Sequence, residues 1–166
     1  MIGKKILSTM YTVECFDKDG NLKWQDNFHN LVVTEGLNDS LDKHFKASSY
    51  TAGWWVGLTS SSPTFAAADT MASHSGWTES TAYSESNRQA LTLGTVSGGS
   101  VNNSNSKAVF SINATATIGG AFITNNNTKG GTTGTLYGGG AFSGGNRSVV
   151  NGDTLNVTVT LTASAS

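Results

Sequence analysis

From Ala108 to Thr162 the chain is almost uncharged and is written in Gly, Ser, Thr and Asn, with apolar residues recurring at every second position. Thr154-Leu155-Asn156-Val157-Thr158-Val159-Thr160-Leu161 puts Leu155, Val157, Val159 and Leu161 on one side of an extended backbone and hydroxyl or amide side chains on the other. Successive Cβ atoms leave a pleated strand on opposite faces, so a period of two marks a half-buried antiparallel strand. A surface of this kind suits packing against other protein. It offers few groups that move protons, bind metal or attract phosphate, and a structural or binding module is the first expectation.

The chain has 166 residues, and one domain of that size removes roughly 70% of its unfolded surface from water without a staple. A single domain over 1–166 is expected. Lys+Arg number 10 against Asp+Glu 11, and the basic residues are scattered. The field that nucleic acid or an anionic membrane requires is therefore missing, and neither is expected as a partner. The lone Cys15 sits between Val13 and Phe16, which favours a buried structural thiol over a nucleophile. Met1-Ile2-Gly3-Lys4-Lys5-Ile6-Leu7 has the charge of a signal peptide but not its apolar run, and no stretch approaches the roughly 20 apolar residues of a membrane span. Folding in a cytoplasm is expected.

Charge is segregated along the chain. It is dense between Lys4 and Lys46, while after Arg88 only Lys107, Lys129, Arg147 and Asp153 remain. Met10 to Phe16 and Leu22 to Val33 read as strands around the turn Asp17-Lys18-Asp19-Gly20-Asn21, an opening hairpin over 10–33. Leu37, Leu41, His44 and Phe45 then recur at helical spacing, which predicts a short amphipathic helix over 35–46 with Thr34 as its N-cap. The remaining 52–162 is a β-rich body. Its first strand, Trp54-Trp55-Val56-Gly57-Leu58, turns Trp54, Val56 and Leu58 to one face and Trp55 to the other.

Ser60 to Trp77 reads as a long ordered connection in which Asp69 caps a helical turn through His74. Arg88 to Leu93, Lys107 to Ile112, Ala114 to Thr124, Gly134 to Phe142 and Leu155 to Leu161 are the further strand candidates, separated by Gly- and Asn-rich turns. About eight strands and one helix make an all-β fold, an antiparallel two-sheet sandwich that is jelly-roll-like with one short helix.

Motifs for chemistry are weak throughout. Asp17 to Asn21 has the composition of a calcium loop, but its glycine comes too early and the twelfth position is Phe28. His29, His44 and His74 form no metal-spaced pair. Lys129-Gly130-Gly131-Thr132-Thr133-Gly134-Thr135 has the glycines of a phosphate cradle without its Gly-Lys-Ser/Thr ending. Glu79 and Glu85, near Trp77 and Tyr83, have the residue types of a sugar hydrolase pair, against which stands the plainer reading of two solvated carboxylates. Trp54, Trp55, Trp77 and Tyr83 equally suit a carbohydrate-binding face or a sandwich core. No catalytic residue, cofactor or metal is expected.

Asn30-Leu31-Val32-Val33-Thr34-Glu35-Gly36-Leu37-Asn38, Trp54-Trp55-Val56-Gly57-Leu58-Thr59 and Ala67-Ala68-Asp69-Thr70-Met71-Ala72-Ser73-His74 together resemble a group of small structural proteins of tailed bacteriophages. Gly119-Gly120-Ala121-Phe122-Ile123-Thr124 and Ser148-Val149-Val150-Asn151-Gly152-Asp153-Thr154-Leu155 extend that resemblance over nearly the whole chain. The resemblance implies a virion protein made in the host cytoplasm. Its size and uncharged surface suit a capsid decoration, or cement, protein on the outer shell, with the major capsid protein as partner. A tail adaptor, tail-tip or fibre-associated subunit is the leading alternative, and a receptor- or glycan-binding module the next. For shell contact the expected residues are Trp55 and, on the hairpin, Lys18, Lys23 and Trp24. A core position on the opposite sheet is the plainer reading of Trp55. Self-association as a homotrimer through the C-terminal strands is also expected.

Overall fold

The computed structural model describes residues 5–49 and 53–165; residues 1–4 and the start of the expected body at 52 lie outside that range. In chain order the elements are β1 (Lys5–Phe16), β2 (Leu22–His29), β3 (Leu31–Val32), α1 (Thr34–Phe45), β4 (Trp55–Thr59), β5 (Glu79–Ser80) and β6 (Gln89–Ala90). There follow β7 (Ser100–Asn102), β8 (Ala108–Ser111), β9 (Ala116–Ile118), β10 (Gly120–Thr124), β11 (Leu136–Ala141), β12 (Arg147–Val149) and β13 (Thr154–Ala165). The fold is the all-β antiparallel sandwich with one helix that the alternation predicts.

Sheet A runs β2-β1-β13, with β7 and β8 sharing the far side of β13. β1 and β13 pair along their whole length, from Lys5 opposite Ala165 to Phe16 opposite Thr154. Within that ladder Tyr11, Val13 and Cys15 face Val159, Val157 and Leu155, and all six are buried. The β1–β2 turn is the expected one: Asp17 Oδ1 accepts the N–H groups of Asp19 and Asn21 at 2.9 Å each, and Gly20 takes φ +84°.

Sheet B, ordered β3-β11-β10-β4-β5 with β6 also along β4, is covered on both faces. Val56, Leu58, Ala121 and Ile123 close onto sheet A in the main core. On the other face Phe122 and Leu136 meet Val33, Met71, Trp77 and Phe65, a second core laid down by the helix approach and the connection after β4. Phe122 in β10 stands opposite Gly57 in β4 and Gly139 in β11. A Cβ at Gly57 would overlap the Phe122 ring and one at Gly139 the Phe65 ring, so both glycines leave room for aromatic rings lying across the strands.

Several local expectations are corrected. The hairpin ends at His29, and Leu31–Val32 crosses to sheet B, where Val32 and Leu31 pair with Gly138 and Gly139. Asp69 caps no helical turn; its Oδ2 accepts from the Ala66 N–H at 2.9 Å and the Trp77 indole at 3.1 Å, bracing an irregular connection. Val33, not Thr34, is the N-cap of α1, without a side-chain cap bond. The Arg88–Leu93 strand shrinks to Gln89–Ala90, while β5, β7 and β12 have too few residues for periodicity to reveal them. The largest correction concerns α1, whose buried residue is Gly36, against the Tyr137 backbone, while Leu37, Leu41 and Phe45 are exposed.

Candidate functional site

The inward register of β1 and β13 dictates what lies on their outer side. Ser8, Met10, Thr12 and Glu14 stand opposite Thr162, Thr160, Thr158 and Asn156, and Gln25, Asn27 and His29 of β2 continue the row. Twelve residues at about 3.3 Å each give a ladder on the order of 40 Å long. The Thr12 hydroxyl donates to Asn27 Oδ1 at 2.7 Å, and Ser100 and Thr162 hydroxyls lie 3.4 Å apart. Glu14 is held by Lys107 at 2.6 Å. The result is a long face of hydroxyls and amides whose ionised carboxylate already has its counter-ion. It hydrogen-bonds a partner without stripping water from an unpaired charge.

β13 is flanked by β1 on one side and β7 and β8 on the other. It therefore has no free backbone edge over its paired length, and association through it uses its threonine face.

The four expected contact residues do not form one surface. Lys18 is exposed beside Asp19 in the turn. Lys23 reaches the buried Asp153 at 2.6 Å, a bond that holds its ammonium pKa above the usual lysine range. Trp24 is half-buried, tilted on Phe142 with ring centroids 5.6 Å apart and covered by the Arg147 guanidinium. Trp55 is half-buried at the far end of the β4–β10 ladder, opposite Thr124, whereas Phe142 lies beyond the Gly120 end. It lines a small cleft with Trp54, Gly53, Asp39, Lys43 and Asn125.

Next to Trp55, an apolar cleft of about 420 Å³ enters between the two sheets. Trp54, Leu91, Ile123, Tyr137 and Leu161 line it, with His44 of α1 at its wall. Burial raises the Tyr137 phenol pKa, so this residue is an uncharged wall at all physiological pH values.

The carboxylates and aromatics with catalytic or sugar-binding residue types are otherwise engaged. Glu79 forms a bidentate pair with the fully buried Arg88 at 3.0 and 2.7 Å and accepts the Gly130 N–H at 3.0 Å. Arg88 also donates to the Asn126 and Gly131 carbonyls, so this pair anchors the 125–135 loop. Both Glu85 oxygens accept the Ser111 N–H at 3.1 Å. Trp77 and Tyr83 lie in separate cores, which leaves Trp54 and Trp55 as the partly exposed members of the aromatic set. His74 stacks on Trp77 at 3.7 Å. Burial, reinforced by Asp153, pushes the Cys15 thiol up to about 12, as expected of a structural cysteine. Among the described residues no three His, Cys, Asp or Glu side chains gather as metal ligands.

What sequence reasoning missed is how the sparse C-terminal charges are used. Lys107 pairs with Glu14, Lys129 donates to the Tyr83 and Glu85 carbonyls, Arg147 donates to Asp26, and Asp153 receives Lys23. Each ties the uncharged half to an earlier segment. The available signal was their isolation: a lone charge in an uncharged stretch is conspicuous and invites a search for its partner. Comparison with family models, curated proteins and solved structures finds no match to this chain.

Proposed function

We propose that this protein is a structural component of a tailed-phage particle, a decoration protein that docks on the assembled shell through the outer face of sheet A. The observation that supports it most is that face: long, regular, rich in hydroxyls and amides, with Glu14 already neutralised by Lys107. Docking on such a face is driven by many modest hydrogen bonds and by water release, not by one deep anchor. A ligand that binds only the assembled lattice stabilises that lattice by mass action, about 2.7 kcal/mol per site at a hundred times Kd. Identical copies repeated over a shell multiply the effect.

The test is the copy number of this chain in purified particles, measured by quantitative mass spectrometry against the major capsid protein. A ratio near one or a simple fraction of it supports decoration. A trace ratio matching tail components moves the protein to a tail adaptor, tail-tip or fibre-associated role, and absence from particles ends the virion reading.

A second reading, a receptor- or glycan-binding module, is favoured by one observation: Trp54 and Trp55 are both partly exposed at neighbouring clefts. Glycan-array binding lost in Trp55→Ala would support it, and an array without signal would remove it.

A further inference from the structure

The cleft between the sheets is walled by side chains that elsewhere in the molecule would be closed over as core. Leu161 of β13 stands on the sheet A side, Ile123 of β10 and Tyr137 of β11 on the sheet B side, and Leu91 joins them. Ile123 and Leu91 are only 1 and 8% exposed, and of the aliphatic lining Leu93 alone reaches 36%. A flat protein surface laid over the opening meets little of this lining, whereas a small molecule that enters meets most of it. The volume, about 420 Å³, falls within the roughly 300–1,000 Å³ of small-molecule sites.

The walls are held by the fold itself. The Leu91 N–H donates to the Trp54 carbonyl at 2.8 Å. The Trp54 and Tyr137 rings meet edge to face with centroids 5.8 Å apart, and Gly36 of α1 lies against the Tyr137 backbone. Side chains fixed in advance lose little freedom when a ligand arrives, which favours binding.

The polar lining is one side of α1. Asp39, Ser40 and Lys43 are half-buried and His44 is exposed, so they form the rim while the buried aliphatic residues form the interior. One acid and one base give that rim no net sign. The Lys43 ammonium already donates to the Ser49 carbonyl at 2.7 Å. The Ser40 hydroxyl donates to the Gly36 carbonyl at 2.9 Å and keeps its oxygen lone pairs as acceptors. Beside the Asp39 carboxylate, which only accepts, this makes a rim that recognises a hydrogen-bond donor.

We propose that the cleft is a binding site for a compact, uncharged aromatic molecule bearing one hydroxyl or amide N–H. Its ring packs between Ile123, Leu161 and the Trp54–Tyr137 pair, where edge and face contacts favour an aromatic body. Its donor points to Asp39 and Ser40. A fixed charge on the ligand is disfavoured, because entry strips its water and the interior returns no counter-ion. Trp55 is not part of this lining, and the outer face of sheet A lies on the other side of β13, so the site depends on neither the shell contact nor a sugar at Trp55.

Methyl NMR of the full chain titrated with naphthol tests the proposal. The expected result is saturable binding with a Kd on the order of 100 μM, as suits a probe of that size. The largest shifts should fall on the Ile123, Leu91 and Leu161 methyl groups, with Leu37 and Leu41 on the exposed side of α1 unmoved. Naphthalene sulfonate and naphthylmethylammonium, the same ring system with a fixed charge, should bind about tenfold more weakly. Leu93→Glu, at an exposed position on the opening, should weaken naphthol by about tenfold, with circular dichroism verifying its fold; the methyl map needs no variant and decides the location by itself. Trp55→Ala should leave naphthol affinity unchanged, which separates this site from glycan binding. No saturation at millimolar naphthol, shifts centred on Leu37 and Leu41, a charged analogue that binds as tightly, or a folded Leu93→Glu chain of unchanged affinity would overturn the proposal.

Discussion

The two sheets of this sandwich are built from the same polar vocabulary but solve different packing problems. Sheet A has one face in the core and the other in water, so β1 and β13 alternate strictly and each residue's side can be read from its neighbour's. Sheet B is buried on both faces, and every residue of β10 from Gly120 to Thr124 is inaccessible. There alternation no longer separates inside from outside. It separates two cores, and glycine is used where a ring from the neighbouring strand or connection occupies the space. A Gly-rich strand can therefore be among the most deeply packed parts of such a protein.

The largest expected effect breaks the sheet B side of this contrast. Arg88→Met removes the cation paired with the buried Glu79 carboxylate and frees the Asn126 and Gly131 carbonyls. Loss of one partner of a buried pair costs about 3–5 kcal/mol, and urea denaturation should show a drop of that size. Glu79→Gln in the same chain should recover part of it, because the uncompensated charge is then gone. Recovery would assign the loss to electrostatics; no recovery would assign it to the Arg88 carbonyl bonds that hold the 125–135 loop.

Gly57→Ala comes next. The new methyl group collides with the Phe122 ring, which is fully buried and has the second core behind it, so overpacking should cost up to about 3 kcal/mol. Phe122→Leu in the same chain shortens the side chain that is struck, and the double variant should lose less than the sum of the two single changes. Additive losses would mean that the ring and the glycine are not coupled.

These two sites also mark where sequence reading stopped. The period of two at Leu155, Val157 and Val159 was enough to predict a half-buried strand, since only one arrangement places all three inside. Nothing local says that Gly57 and Gly139 lie beneath aromatic rings, because the rings come from residues 122 and 65, far away in sequence. The stripe Leu37, Leu41, Phe45 was visible as a helix but not as an outward ridge: periodicity defines a face, and tertiary contacts decide what it faces. The same limit applied to the interface residues. Lys23 and Trp24 were singled out by type, while their pairing with Asp153 and Phe142 depends on residues more than a hundred positions later in the chain.

Sheet A's inward edge offers a smaller effect with a pH signature. Burial raises the pKa of the Asp26 carboxyl, but hydrogen bonds from the Ser143 hydroxyl, the Gly144 and Ser143 N–H groups and Arg147 together outweigh it and hold the group below the usual carboxylate range. A depressed folded value means that its stabilisation is complete above the unfolded value near about 4 and is lost as pH falls through the lower folded one. Asp26→Asn should cost about 1.5 kcal/mol at neutral pH. The gap between wild type and variant should close on acidification below about pH 4; a gap that persists there would show that packing, not charge, is responsible.

The smallest expected effect on stability falls on the outer face of sheet A, where the contrast between the sheets becomes a contrast between folding and function. Thr158→Val keeps the β-branched shape and strand preference while deleting one hydroxyl opposite Thr12. Unfolding free energy should stay within about 0.5 kcal/mol of wild type. If this face is a docking surface, the same change leaves a partner's hydrogen-bonding group buried without its mate, at about 1–3 kcal/mol per site, so occupancy on purified particles should fall in competition with wild type. A core substitution that lowers occupancy does so by lowering the amount of folded protein. Here the two quantities separate, and a Thr158→Val chain with unchanged stability and unchanged occupancy would exclude this hydroxyl row from the contact.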